Sequence, residues 1–283
     1  MTPILAPLPL GSRSYSDVRE LLAHSVDPTA RWGVLQAVDD GGPIATVARW
    51  VEQTVLHETY GADPDEMSAE MAGYDPSSVW HLLIHQPSGS AVGAVRCLVG
   101  DARRFQFTSD LEEFWGLSWD DACERVGVDP LGDFVEGCSF SVLPEWRPAD
   151  NLWPIKMVAA AYMHLVEDLQ ATAAVQIINP LVRRAFARYG IPFVSVDEPG
   201  SFEGWGEAKW DPTMSITTPG NSWFTTKDDE FRRLFKDRDE RVRGGTTLPS
   251  DVSRIDAFEL HERLRRGTRP SVRSLPDPII RRR

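Results

Sequence analysis

Hydrophobic and polar positions along the chain switch between a period near two and a period near 3.6, and the switches mark its elements. GVLQAV (33–38) is an apolar run ended by the turn DDGG, and reads as a strand. Pro43 suits the first turn of a helix, and Ile44, Val47, Ala48, Val51, Val55 and Leu56 follow at helical spacing. DPDEM (63–67) opens a second helix with acids in its first turn. VWHLLIHQ (79–86) and AVGAVRCLV (91–99) are strands joined by PSGS, a hairpin. Residues 108–127 predict one or two short helices, with Leu111, Phe114, Trp115, Trp119, Ala122 and Val126 on the apolar side. FVEGCSFSVL (134–143) is the next strand. After the loop PEWRPADN, residues 153–170 are apolar on nearly every face, which predicts a buried helix. AVQII (174–178) is a strand, and Leu181, Val182, Ala185, Phe186 and Tyr189 form a helix face closed by Gly190. FVSV (193–196) and MSITT (214–218) are the last strands.

The order is therefore β-α-α-β-β-insert-β-α-β-α-β-β. Helix 153–170 must cross over to reach strand 174–178, so strands 134–143 and 174–178 form a parallel pair in the centre of the sheet. The expected fold class is α/β (α+β), with helices flanking a mixed, mostly antiparallel sheet. Residues 1–30 read as an N-terminal extension and 31–220 as the domain, with a helical insert at 104–130. Residues 221–283 read as a C-terminal extension with a basic, partly disordered tail.

Gly137 and Pro144 interrupt strand 134–143, which predicts a bulge near Leu143. A strand that splays there leaves backbone N–H groups facing a cleft, where an amide-bearing chain such as pantetheine pairs as an added strand. One such N–H, at Val142 or Leu143, would polarise a thioester carbonyl and hold the oxyanion of a tetrahedral intermediate. The loop from Arg147 to Asn151 opens the next helix at Leu152–Pro154. Free N–H groups at a helix start, with Arg147 beside them, form an anion site, and Arg147, Asn151 and Leu152 are the candidate phosphate contacts. An ordinary capped helix is the alternative. Glu136 stands alone in an apolar, small-residue strand. It is either half of a structural pair with Arg96 or a general base whose pKa rises with burial, suited to an ammonium.

The formal net charge of −12 argues against a nucleic-acid partner. From Val252 onward, however, nine arginines face Asp256, Glu259, Glu262 and Asp277, a tail that is solvated or meets an acidic partner. Cys97, Cys123 and Cys138 form no CxxC, and the six histidines form no HxxxH pair on a helix, so no metal is expected. His81 and His85 are four apart in a strand and share a face, a poor metal site. Sparse cysteines and the lack of a long apolar run predict a cytoplasmic protein with no membrane span. Cys138 has no histidine near it in sequence to serve as base, which disfavours a covalent acyl-enzyme.

VWHLLIHQPSGSAVGAVRCLV, VEGCSFSVLPEWR and VQIINPLVRRAFARYGIPF together resemble the GCN5-related N-acyltransferase (GNAT) superfamily over roughly residues 33–220. Within it they are most similar to the branch of N-acyl amino acid synthases and acyl-homoserine lactone synthases. The resemblance implies a GNAT fold with a splayed central parallel pair, and transfer of an acyl group from a thioester to an amine. Asp75, Arg96 in G-x-x-R and Glu136 in E-x-x-R match the branch, but Ser139 stands where it has arginine, which puts lactone synthesis in doubt. The resemblance implies a substrate site at Asp75, Arg96 and Ser139, and Trp115 of the insert is the candidate lining of the acyl pocket. The loop Arg147-Pro-Ala-Asp-Asn-Leu152 lacks the glycines of R-x-x-G-x-G/A, Pro148 has no N–H, and Asp150 is an acid. It leans toward an acyl carrier protein as donor rather than acyl-CoA. Phe186 stands where many acetyltransferases place a tyrosine acid, and Tyr189 lies on a different part of the turn.

The expected function is transfer of a medium- or long-chain, or polyketide-derived, acyl group to an amine of an amino acid or peptide. No permanently bound cofactor is expected; acyl-phosphopantetheine or acyl-CoA would be the co-substrate. Specialised metabolism, including lipopeptides, is the expected setting. A non-catalytic GNAT-fold module that binds a carrier or peptide, and a lactone synthase, are the alternatives.

Overall fold

A computed structural model of the chain describes residues 18, 32–147, 153–188, 191–202, 209–216, 246–247, 260–261 and 264. Strand β1 spans Trp32–Val38, followed by helices α1 (Pro43–Tyr60) and α2 (Pro64–Met71). Pro43 takes the first helical position of α1, as its fixed φ favours, and Gly61 (φ +71°) closes the helix in the left-handed region. Asp63 caps α2 by accepting from the N–H groups of Asp65 and Glu66. Strands β2 (Ser78–His85) and β3 (Ser90–Gly100) form the expected hairpin. The insert carries α3 (Gln106–Asp110), a π turn (Leu111–Trp115) and α4 (Trp119–Val126). Then come β4 (Phe134–Val142), α5 (Trp153–Asp168), β5 (Ala173–Ile178), α6 (Pro180–Arg188), β6 (Val194–Ser195), β7 (Asp211–Ile216) and β8 (Thr246–Thr247).

All eight strands form one sheet in the order β6-β7-β5-β4-β3-β2-β1-β8. Only β4–β5 and β1–β8 are parallel. The central parallel pair was legible from the crossover. The short β8 was not, and it brings residues of the expected C-terminal extension onto the sheet edge. Leu260 joins the core, and His261 accepts from the Gly100 N–H at 3.2 Å. Of the expected N-terminal extension only Val18 is described, and most of residues 221–283 lie outside the described residues.

One face of the sheet is covered by α5 and α6, which pack with Val95, Cys97, Val99, Val135 and Val142. The other carries α1 over Trp80, Leu82, Ala94 and Leu143, and beside it the insert over Leu98, Phe134 and Val175. Between α1 and the insert the apolar surface is interrupted by Arg96, Glu136 and Ser139, all buried.

The bulge of β4 is at Cys138, not near Leu143. Arg96 pairs with Ser139 and Cys97 with Gly137, so Cys138 is the extra residue. Side chains alternate along a strand, and one inserted residue reverses which positions face which side. Before the bulge Val135 faces α5; after it Phe140 and Val142 do. Glu136 and Ser139, three apart, thereby share the other face.

Gly93, the glycine of G-x-x-R, sits where β3 meets β4 and α5. A Cβ there would lie 2.7 Å from the Ser141 carbonyl oxygen and 3.3 Å from Val158. Since one of those atoms is backbone, Gly93→Ala must displace β4. It should lower stability by about 1–3 kcal/mol in urea unfolding.

Candidate active site

The parallel pairing of β4 with β5 stops early. Its rungs are Phe134 with Ala173, Val135 with Ala174 and Glu136 with Val175, whereas β4 runs on to Val142. Tyr162 of α5 lies where the strands part, its hydroxyl 3.4 Å from the carbonyl oxygens of both Val135 and Val175. Burial pushes that phenol well above its ordinary pKa, so it stays a donor at the fork. Gly137 lacks the Cβ that would strike the Phe140 ring at 2.9 Å and the Gln176 side-chain oxygen at 3.1 Å.

Of the two expected oxyanion donors, Leu143 needs correction. The Leu143 N–H is taken, donating to the Val92 carbonyl at 2.9 Å. Antiparallel ladders alternate, so Ser139, Ser141 and Leu143 turn their N–H groups to β3, while Phe140 and Val142 turn theirs to the fork. The Arg147 Nε donates to the Val142 carbonyl, which fits this orientation. Val142, however, stands six residues from Glu136, roughly 20 Å along a strand at ~3.3 Å per residue. Phe140 offers the first fork-facing N–H after the bulge.

Glu136, at the last rung of the pair, is 3 % exposed. One carboxylate oxygen accepts from the Phe107 N–H at 3.0 Å; the other is buried without a partner. Helix starts leave N–H groups to be satisfied, and Phe105 before α3 has no side-chain acceptor, so Glu136 fills that need across the sheet. Burial raises its pKa to about 7, against hydrogen bonds that lower it.

Arg96 is not the partner of Glu136. It is fully buried and pairs with Asp75 and, at 3.6 Å, with Glu52 of α1, while its Nε donates to Ser78 at 2.9 Å. Its cross-strand neighbour is Ser139, whose hydroxyl donates to Glu52. Asp75 also accepts from Arg49 at 3.0 Å, and Arg49 pairs with Asp39. Asp75, Arg96 and Ser139, the three expected substrate contacts in this region, thus meet in one network. Arg49, Glu52, Gln53 and Met71 surround it between α1 and α2.

Two acids were missed. Glu52 is 2 % exposed, and burial raises its pKa although Arg96 and Ser139 oppose the shift. Its position among Ala48, Val51 and Val55, on the buried stripe of an amphipathic helix, was the available signal. Asp110, the last residue of α3, is half-buried. Burial, then repulsion from Glu136, Glu70 and Glu113, pushes its pKa to about 8. Nothing in the sequence marks it, because its neighbourhood is made by folding.

Other expected residues fall elsewhere. Arg147 is exposed at the end of the turn after β4; Asn151 and Leu152 lie outside the described residues. Trp115 donates to the Glu198 carbonyl at 2.9 Å and packs on Phe202, which ties the insert to the 191–202 segment. His81 and His85 do share a face, but His81 bonds Gln36 at 3.1 Å, and burial lowers its pKa to about 3.

No protein-family model matches the chain, and no curated protein matches it. Solved structures do. BjaI, a CoA-dependent acyl-homoserine lactone synthase solved with SAM and isopentyl-CoA, is 17 % identical, with a TM-score of 0.50 over 82 % of this chain and 99 % of its own. The chain has the GNAT fold. FeeM, an N-acyl amino acid synthase from uncultured soil microbes, is 14 % identical over 66 % of this chain and 93 % of its own, with a TM-score of 0.46. The C-terminal condensation domain of Ebony, in complex with beta-alanyl-dopamine, is 10 % identical over 67 % of this chain and 100 % of its own, with a TM-score of 0.46. No helix among the described residues is long and apolar enough to cross a membrane.

Removing Arg96 would leave buried Glu52 without its counter-charge and Asp75 with Arg49 alone. Arg96→Met should cost about 3–5 kcal/mol in denaturant unfolding. Glu136 acts in the opposite sense. Its folded pKa lies above the ordinary 4.5, so the folded state binds the extra proton, and stability falls as pH rises from about 4.5 through about 7. Glu136→Gln should therefore stabilise the protein by roughly 3 kcal/mol near pH 8 and leave it unchanged near pH 4. Equal effects at both pH values would exclude a raised pKa.

Proposed function

We propose that the protein is an N-acyltransferase that moves an acyl group from a thioester to an amine at the β4–β5 fork. The observation that carries this reading is the position of Glu136. A buried carboxylate with one oxygen unpartnered stands at the rung where the parallel strands part. The thioester arm lies along the open edge of β4 as an added strand. The Phe140 N–H, in place of Val142 and Leu143, polarises the thioester carbonyl. The amine enters from the α1–α3 side of the sheet. Glu136 takes a proton from the ammonium, directly or through one water, and a pKa near 7 suits that transfer at neutral pH. The amine attacks, the C–N bond forms, the C–S bond breaks, and the departing thiolate takes the second proton.

We assign the donor to an acyl carrier protein. Pro148 and Asp150 stand in the loop in place of diphosphate-binding glycines, and exposed Arg147 remains for a single phosphodiester. Comparing acyl-carrier with acyl-CoA donors decides this point; a lower KM for the CoA thioester would reverse it. Asp75, Arg96 and Ser139 position the acceptor side through their network. With Ser139 engaged by Glu52, no arginine stands at that position for the lactone chemistry of the branch.

With any competent donor and amine, Glu136→Gln should lower kcat/KM by roughly a hundredfold to ten-thousandfold. The wild-type value should climb with pH through about 7, and the variant should lose that limb. An unchanged rate would reduce Glu136 to a cap for α3. Such a result, or a protein that binds acyl-carrier without turnover, would favour a non-catalytic carrier-binding module.

A further inference from the structure

We infer that the acceptor is a diamine that carries no carboxylate, its second ammonium held by Asp110. The inference rests on the acyl-transfer reading and specifies its substrate. It begins with the cations that border the acceptor side. Arg49 is paired with Asp39 and Asp75, and Arg96 with Asp75 and Glu52. Position 139, where the branch resembled has arginine, holds a serine whose hydroxyl already serves Glu52. Among the described residues, then, neither arginine of this network is left without an acid partner for the carboxylate of an amino acid. Forcing one in would bury an uncompensated negative charge.

The acids are not so matched. The Asp110 carboxylate has no hydrogen-bond or ion-pair partner among the described residues, and the charges that bear on it, Glu136, Glu70 and Glu113, are all acids. Glu136 presents a second carboxylate oxygen, buried and unpartnered, one helical turn away at the start of the same α3. Tyr74 lies within the field of both carboxyls, and its hydroxyl is 3.4 Å from Ser109, the neighbour of Asp110. Arg96 and nearby hydrogen-bond donors offset part of the Glu136 charge, but neither carboxyl has an ion-pair partner among the described residues, and together they have room for two cations. The ammonium at Glu136 gives up its proton, attacks the thioester and becomes the amide nitrogen, its remaining surplus proton leaving with the thiol. The ammonium at Asp110 keeps its charge throughout and holds the chain in register.

Lysine and cadaverine differ only by the carboxylate, and cadaverine and pentylamine only by the second ammonium. With purified full-length protein and one acyl-carrier donor, kcat/KM should favour cadaverine over lysine by at least about tenfold. Asp110→Asn should also lower kcat/KM for cadaverine at least about tenfold more than for pentylamine. Taking the ratio cancels the effect of the lost charge on Glu136, which both amines feel alike. Lysine used as well as cadaverine, or equal losses for the two amines, would overturn the inference. If no amine is acylated, the transferase reading fails separately. Calorimetric titration of cadaverine without donor then decides: binding that weakens in Asp110→Asn supports the diamine site, and absent or unaltered binding refutes it.

Discussion

A single inserted residue, Cys138, sets the geometry on which the site depends. Without it, Glu136 and Ser139 would point to opposite faces of the sheet, because side chains alternate. With it, both face the α1–α3 side, while Phe140 and Val142 turn inward against α5. The same insertion lets β4 turn away from β5 just beyond the Glu136–Val175 rung. The carboxylate, the unpaired backbone edge and the polar network are therefore consequences of one backbone irregularity. An E-x-x-R spacing in a strand makes physical sense only over such a bulge.

The fork has to be held open, since two parallel edges with free N–H and C=O groups would otherwise close on each other. Tyr162 places its hydroxyl between the Val135 and Val175 carbonyls, and its ring meets that of Phe140 at 5.2 Å, nearly edge-on. Phe140 in turn meets Phe186 of α6 at 5.2 Å. Aromatic packing on the α5–α6 side thus wedges the strands apart. On the other side, the two arginines and their acids tie α1, the turn at Asp75–Ser77, β3 and β4 together. Buried ion pairs of this kind rarely add net stability over apolar packing, because desolvation consumes the gain. Their cost is understandable if the polar surface must stay fixed next to the proposed base.

The sequence made the element order readable because each element carries its own period and punctuation. The buried helix 153–170, the hairpin through PSGS and the crossover all follow from local pattern plus one topological rule. The bulge was misplaced because Gly137 and Pro144 both signal irregularity, and pattern alone does not say which residue is left unpaired. Arg96 was matched to the wrong acid for a related reason. Glu136 and Arg96 belong to neighbouring strands, but register places Glu136 opposite Leu98. Glu52 then reaches in from a helix more than forty residues earlier. Strand β8 pairs parallel with β1 over two residues, too short to leave any periodic trace.

Charge placement is the part that sequence composition hides most completely. A net charge of −12 argues against a nucleic-acid partner, but it does not show that Glu136, Glu70 and Glu113 gather around Asp110. Burial raises Glu136 to about 7, and burial with repulsion from neighbouring acids raises Asp110 to about 8, so neither is fully ionised near neutrality. With no cation bound, the proposed site would then be partly neutral, and cations would favour its ionised form. A bound diamine would lower both pKa values, because opposite charge favours the carboxylate form. It would thereby prepare Glu136 as a base at the moment an acceptor is present. The desolvation that makes these acids costly in the empty protein is the same effect that would couple their ionisation to a bound cation.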